Sequence, residues 1–367
     1  MRDKEPLDVA FLVRSGRRER MQELRNYPSE FFYGYMQFLK WGLNVALFED
    51  KDVAMAPPLP TFARLINRMF TRLCGLPVGL ALSFMMSGRS KLPNTKLVVV
   101  TTNSMGLVFA MCRALGLVKV PVIFLSMGLL SRSPSSAERH IYGHLLKQIQ
   151  LATFSREEQV FLRKLLPNQE IHYLPFGVDH HYWSPGEQAE TDYVLAIGND
   201  LNRDWATLVA AWSPSLPQLK IVTGLPVPRG SANIEVIRGD WRSQVLSDAE
   251  VRTLLRGARF VIVPLKETTQ PAGQSACLQA MACGKAVILS DISGLWDREQ
   301  MVDGQSILLS PPGDVASLSK MAHRLVSDPH MVEALGAAGR KVIENKLNAD
   351  VMANNLMLLS ETLYGRD

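Results

Sequence analysis

The chain is poor in cysteine. Its four cysteines, Cys74, Cys112, Cys277 and Cys283, are scattered, form no CxxC pair and have no histidine at ligand spacing. That pattern excludes a disulfide scaffold, gives no reason to expect a metal centre and points to a reducing compartment. Long apolar runs are missing too. The most apolar stretch, Leu76 to Met86, is interrupted by Pro77 and Gly79 and falls short of the roughly 20 residues a bilayer-spanning helix needs. Met1 to Asp8 is polar and charged and does not read as a secretory leader, so a cytoplasmic protein is expected. No repeat at a solenoid period is visible. Basic residues do not alternate with aromatic ones as in RNA-binding modules, so nucleic acid is not an expected partner.

What is present suits two ordinary globular domains: 367 residues, 47% hydrophobic and 20% charged, enough for two cores without staples. The net charge of +5 favours anionic partners, either phosphorylated substrates or an anionic bilayer. The most informative stretch is Phe260 to Gly313. Phe260 to Val263 is a β-branched apolar run closed by Pro264, which reads as a strand buried on both faces. A polar loop, Leu265 to Ala272, follows. Gly273-Gln274-Ser275 then opens a helical pattern through Ala282, ended by Gly284, and Lys285 to Ser290 starts the next strand. The unpaired N–H groups and positive dipole end at such a helix start make an anion seat suited to phosphate. A plain crossover, with Gly273 only relieving a tight turn, is the alternative. Either way the strands are parallel, with ligands expected at their carboxyl ends.

The same alternation runs through the rest. Leu7 to Val13 reads as a first strand, and Arg14-Ser15-Gly16-Arg17-Arg18 after it is a second candidate anion site. Phe31 to Leu43 is expected as a helix, Val45 to Phe48 as a strand. Arg64, Arg68 and Arg72 would form a basic stripe on a helix whose other positions are largely apolar. With an apolar hairpin over Leu76 to Met86, Thr61 to Ser90 could hold the protein on an anionic membrane surface, the alternative being a core helix with solvated arginines. Leu97 to Val100 is a strand, Thr101 to Gly106 its loop, Leu107 to Leu115 a helix and Val120 to Leu125 the next strand. Trp183 to Glu187 is a breaker-rich linker. The expected division is 1–183, 184–349 and a final helix over 350–367.

The run Gly273, Ala280-Met281-Ala282-Cys283-Gly284-Lys285-Ala286-Val287-Ile288, Gly294, Asp303-Gly304 and Pro311-Pro312-Gly313-Asp314 resembles the donor-binding half of family 4 (group 1) glycosyltransferases. That resemblance implies the α/β GT-B fold: two doubly wound Rossmann-like domains facing a cleft, with a C-terminal helix crossing back to the first. It also implies a retaining hexosyltransferase that uses a nucleotide sugar, with UDP first, on a polysaccharide, lipid-linked or lipid acceptor. No further cofactor and no metal are implied. Alternatives are an inactive nucleotide-sugar-binding partner subunit and a GT-B sugar epimerase.

The resemblance assigns residues one by one. Gly198 and Arg203 fall where the family grips the donor diphosphate, with Asn199 replacing an arginine. Gly273, Gln274 and Ser275 seat phosphate, with Lys266 as an auxiliary cation. Trp241 lies where the family holds the base. The family's two donor-binding glutamates map onto Pro271 and Gln279, so Gln279 is left to meet the ribose and Glu267 to substitute near the sugar. On the acceptor side stand Gly16, Arg17, Asn103, and Met127-Gly128, the last replacing the family's histidine and glycine.

Overall fold

The computed structural model describes residues 6–22, 27–54, 61–88, 94–130, 134–186, 191–239 and 246–364. The chain divides into two compact units. The first comprises Met1–Arg25, Phe31–Leu174 and Met352–Asp367; the second comprises Asn26–Glu30 and Pro175–Val351. The main passage therefore falls at Leu174–Pro175 rather than after Trp183, because Trp183 is buried in the second unit, with its indole N–H donating to Glu30.

In chain order the first unit holds β1 (Leu7–Val13), α1 (Arg17–Gln22), α2 (Tyr35–Lys40), β2 (Val45–Glu49), α3 (Asp50–Ala54), α4 (Thr61–Cys74), α5 (Val78–Ser83), β3 (Thr95–Val100), α6 (Asn103–Ala114), β4 (Val122–Ser126), α7 (Ser136–Leu146), β5 (Gln150–Thr153), α8 (Arg156–Leu165) and β6 (Ile171–Tyr173). The strands form one parallel sheet in the order β2-β1-β3-β4-β5-β6. Their central residues are buried on both faces, as continuous β-branched runs in a helix-covered parallel sheet require. Packing is tight where α6 crosses the sheet: the Phe124 ring occupies the space that a side chain on Gly106 would need.

The second unit holds β7 (Tyr193–Ile197), α9 (Trp205–Ala211), β8 (Gln218–Val222), β9 (Ile234–Ile237), α10 (Asp248–Gly257), β10 (Phe260–Val263), α11 (Gln274–Ala282), β11 (Ala286–Ser290), β12 (Leu308–Ser310), α12 (Val315–Ser327) and α13 (Pro329–Asn345). The last helix, α14 (Ala349–Tyr364), starts in this unit and belongs to the first from Met352 onward. The sheet is again parallel, in the order β12-β11-β10-β7-β8-β9. Its helices start where the sequence marks them. Ser247 and Glu250 form a capping box on α10, and the Asp314 carboxylate accepts from Ser317 N at the start of α12.

Three expected elements differ. Phe31 to Leu43 is not one helix: a 3-10 turn (Ser29–Phe32) is followed by Tyr33 at φ 51° and Gly34 at φ 93°, and only then by α2. Gly34 packs against Ala353, and its left-handed φ, which L side chains rarely adopt, favours glycine there. Leu76 to Met86 is not a hairpin but α5 and a π-helical turn (Phe84–Gly88). Helix α6 starts at Asn103 rather than Leu107, with Thr102 as its extended N-cap. No helix among the described residues is long and apolar enough to cross a membrane.

Candidate functional site

In the second unit the chain lays down β7, β8 and β9 in one direction and then returns to place β10, β11 and β12 on the other side of β7. The order reverses between β7 and β10, and the loops leaving those two strands define the switch point where doubly wound sheets bind ligands. Here the two loops are zipped together. Arg203 and Leu265 form an antiparallel bridge, Asp204 N donates to Pro264 O at 3.0 Å, and Lys266 N donates to Asn202 O at 2.8 Å. Asp204 also caps α9 through Thr207 N, so the loop is anchored at its far end as well.

Arg203 sits at the centre of this arrangement. It is 4% exposed, and its guanidinium lies on two glycines: a Cβ on Gly198 would overlap Nε, and one on Gly273 would stand 2.8 Å from Nη1. Its Nε is 3.2 Å from Asp200 Oδ2, an ion pair, yet neither Nε nor Nη1 has an acceptor in hydrogen-bond geometry within the protein. Burial pushes the Arg203 pKa down and Asp200 opposes this; arginine stays charged regardless. Cys277, the other ionisable group close by, is kept protonated by burial. A buried guanidinium with unsatisfied donors is costly to maintain, and beside it Gly273, at φ 73°, is the N-cap of α11. The structure therefore joins the two features the sequence marked separately, a cation and a helix start.

The other sequence-assigned residues fall around this centre. Gln274 is buried and Ser275 half-buried in the first turn of α11, while Lys266 is exposed. Glu267 is exposed, and its carboxylate accepts from Ser293 N at 3.0 Å, bracing the neighbouring loop. Asn199, where the family has an arginine, ties loops together: its Nδ2 donates to Gly239 O at 2.9 Å and its Oδ1 accepts from Thr223 Oγ1 at 3.2 Å. Trp241 lies outside the described residues.

Gln279 corrects the expectation that it faces a ribose. It is 2% exposed, and its amide donates to Glu30 at 3.1 Å. Glu30 is completely buried in this unit and also accepts from Asp179 N at 3.0 Å and Trp183 Nε1 at 2.7 Å. Burial raises its pKa from the ordinary 4.5 to about 7, against these three donors. Sequence reading missed Glu30 because nothing local marks a residue that enters the other unit's core.

In the first unit the order reverses between β1 and β3, and there the structure opens a cavity of about 490 Å³ lined by Arg14, Asp50, Lys51, Thr102, Ser104 and Met105, with Leu80. Each polar lining residue follows the carboxyl end of β1, β2 or β3. Asn103 and Met127-Gly128 are brought together, Asn103 Nδ2 donating to Met127 O at 3.0 Å. The Arg17 guanidinium lies 4.8 Å from the Phe31 ring centroid, and Gly16 stands in an open turn at φ 93°. None of these five lines the cavity; Arg14, from the second candidate anion site, does, together with Lys51, Thr102 and Ser104, which the sequence reading gave no role.

The Glycosyl transferases group 1 family model matches residues 194–328. In sequence, the chain is 26% identical over 225 residues to alpha-maltose-1-phosphate synthase of Mycolicibacterium smegmatis, covering 53% of this chain and 57% of that protein. The chain thus spans little more than half the length of that relative. In structure, it is similar to sucrose-phosphate synthase from Thermosynechococcus elongatus, with a TM-score of 0.73, 16% identity and coverage of 98% of this chain and 100% of the other. It is also similar to the Anabaena protein HepE in complex with UDP and glucose, with a TM-score of 0.63, 13% identity and coverage of 98% and 100%. These likenesses extend over both units and identify the fold as GT-B.

Proposed function

We propose that the protein is a group 1 glycosyltransferase, as the match over residues 194–328 supports, and that it transfers a hexosyl unit from a nucleotide sugar to a saccharide or lipid-linked acceptor, with retention of configuration. In this reaction the acceptor oxygen replaces the diphosphate on the anomeric carbon, and the acceptor hydroxyl gives up its proton. Negative charge builds on the departing diphosphate, and stabilising it is the main task of the protein.

The observation that carries this reading is Arg203. Its Nε and Nη1 are held unsatisfied against Gly198 and Gly273, beside the start of α11. A phosphate that draws the side chain toward it gains charge-assisted hydrogen bonds and competes only with the Asp200 pair. Backbone N–H groups of Gln274 and Ser275 supply further donors. UDP is the first choice of nucleotide, by analogy with the UDP-bound structure of the same fold. The acceptor is assigned to the open switch point of the first unit.

The test is a thermal-shift screen of UDP, GDP and ADP sugars, repeated with Arg203→Ala. One nucleotide class is expected to raise Tm, and the variant to lose most of that response. An equal response in the variant removes Arg203 from the site.

A second reading, a partner subunit that binds donor without turnover, is favoured by Pro271 and by Gln279, whose amide is spent on Glu30. Donor binding without release of nucleoside diphosphate, in the presence of membrane extract, would establish it.

The membrane surface is the further partner we assign, through α4. Leu65 is 69% exposed and Met69 50% exposed, one turn apart, with Arg68 and Arg72 also exposed between and beyond them. Apolar side chains flanked by cations suit an anionic interface. Sedimentation with anionic vesicles, compared with neutral ones, should be lost in Leu65→Asp/Met69→Asp; equal binding to both vesicle types would remove the electrostatic part.

A further inference from the structure

The second unit brings Asp350 to two adjacent histidines, His180 and His181, that precede it by about 170 residues of sequence. The ligating atoms of His180, His181 and Asp350 all lie within 4.8 Å of one another. We propose that these residues form a binding site for a divalent transition-metal ion of the zinc, nickel and cobalt class.

The segments that carry them are fixed to each other independently of any ion. Val178 and Asn348 form a parallel bridge, Val178 N donates to Leu347 O at 3.0 Å, and Ala349 N donates to Val178 O at 2.9 Å. Gly177 lies so close to Asn348 O that no side chain could be placed there. Two residues beyond the bridge on each side come His180 and Asp350. The turn is locked further: the Asp179 carboxylate accepts from His181 N and Tyr182 N at 3.2 and 3.0 Å, and Arg340 Nη1 donates to His180 O and Trp183 O at 2.9 and 2.8 Å. Arg340 is itself paired with Glu344 at 2.7 Å. The imidazoles lie 4.0 Å apart, tilted by 37°. This is the preorganisation a metal site requires, with ligands set by a scaffold rather than by chance proximity on mobile loops.

Chemistry selects the ion. Two imidazole nitrogens and one carboxylate oxygen suit zinc, nickel and cobalt, whereas magnesium and calcium require mostly oxygen ligands. Metal–ligand bonds of about 2.0–2.1 Å call for the three atoms to close up, and the side chains of His181 and Asp350 are exposed. Solvent supplies the remaining position. The ion would add a second link between the His180–His181 turn and the entry to α14, next in sequence to both passages of the chain, Leu174–Pro175 and Val351–Met352. Its effect is a brace that stabilises the folded state by mass action.

The experiment uses the full chain, stripped with chelator and titrated with Zn²⁺ by calorimetry, with Co²⁺ absorption as a spectroscopic check. Saturable one-to-one binding is expected, with a rise in Tm that Mg²⁺ does not reproduce. His181→Asn and Asp350→Asn, both at exposed positions, should each weaken binding by roughly tenfold or more while keeping the metal-free Tm. His140 and His144, exposed and one turn apart on α7, provide the control: His140→Asn/His144→Asn should bind as the parent does. Non-saturating uptake, an equal response to Mg²⁺, or loss of binding in the α7 variant but not in His181→Asn overturns the proposal.

Discussion

The two sheets reverse their strand order in the same way and treat the reversal oppositely. In the second unit the switch point between β7 and β10 is closed over a buried arginine, with glycines at 198 and 273 making room for it. In the first, the switch point between β1 and β3 is an open cavity of about 490 Å³ whose cations, Arg14 and Lys51, are exposed. The closed one stores an electrostatic demand that a particular ligand can meet; the open one offers space and polar edges. A donor whose diphosphate is common to many substrates suits the first kind of site, and an acceptor of variable shape suits the second.

Replacing the stored cation should break this contrast most severely. Arg203→Met is expected to lower kcat/KM about 10²–10³-fold, as loss of a preorganised charge-stabilising donor does. Folding stability should stay level or rise by about 1 kcal/mol, because an under-bonded buried charge gives way to an apolar side chain. Steady-state kinetics with urea denaturation reads both; a large loss of stability would mean that Arg203 is structural.

Next in size is the pH dependence carried by Glu30. Its pKa is raised from 4.5 to about 7 in the fold, so its contribution to stability is complete below about pH 4.5 and is lost as pH rises through about 7. The loss is on the order of 3 kcal/mol. Glu30→Gln should flatten this part of the stability profile between pH 5 and 8, followed by urea denaturation at each pH. An unchanged slope would place the titration elsewhere.

Smaller is Gly273→Ala. It adds a Cβ 2.7 Å from Val263 Cγ1 at φ 73°, for a cost of about 1–2 kcal/mol, and should reduce the donor-induced Tm shift. Smallest is Arg14→Ala in the open cavity: stability within about 0.5 kcal/mol of the parent, with the acceptor KM raised and the donor response unchanged. If Arg14→Ala abolished the donor response instead, the division of labour between the two switch points would fail.

Much of the architecture was legible because it is written locally. Buried parallel strands are continuous apolar runs, and helix starts carry their own caps, as Ser247 and Asp314 do. Gly273 could be read as a helix start from its neighbours alone. Gln279 could not be placed, since its partner Glu30 comes from a segment 249 residues away. The break at Tyr33-Gly34 was hidden for the same reason: Ala353, against which Gly34 packs, lies on the last helix.

By itself, the sequence determined the class of fold, the order of strands and helices, and the residue types offered to an anion, because backbone propensity and hydrophobic period act over a few neighbouring residues. Only the tertiary structure decided that Arg203 is buried on two glycines, that Glu30 holds Gln279, and that His180, His181 and Asp350 meet. Those outcomes depend on distances between residues far apart in the chain, which are set when parallel strands pair and loops close over them.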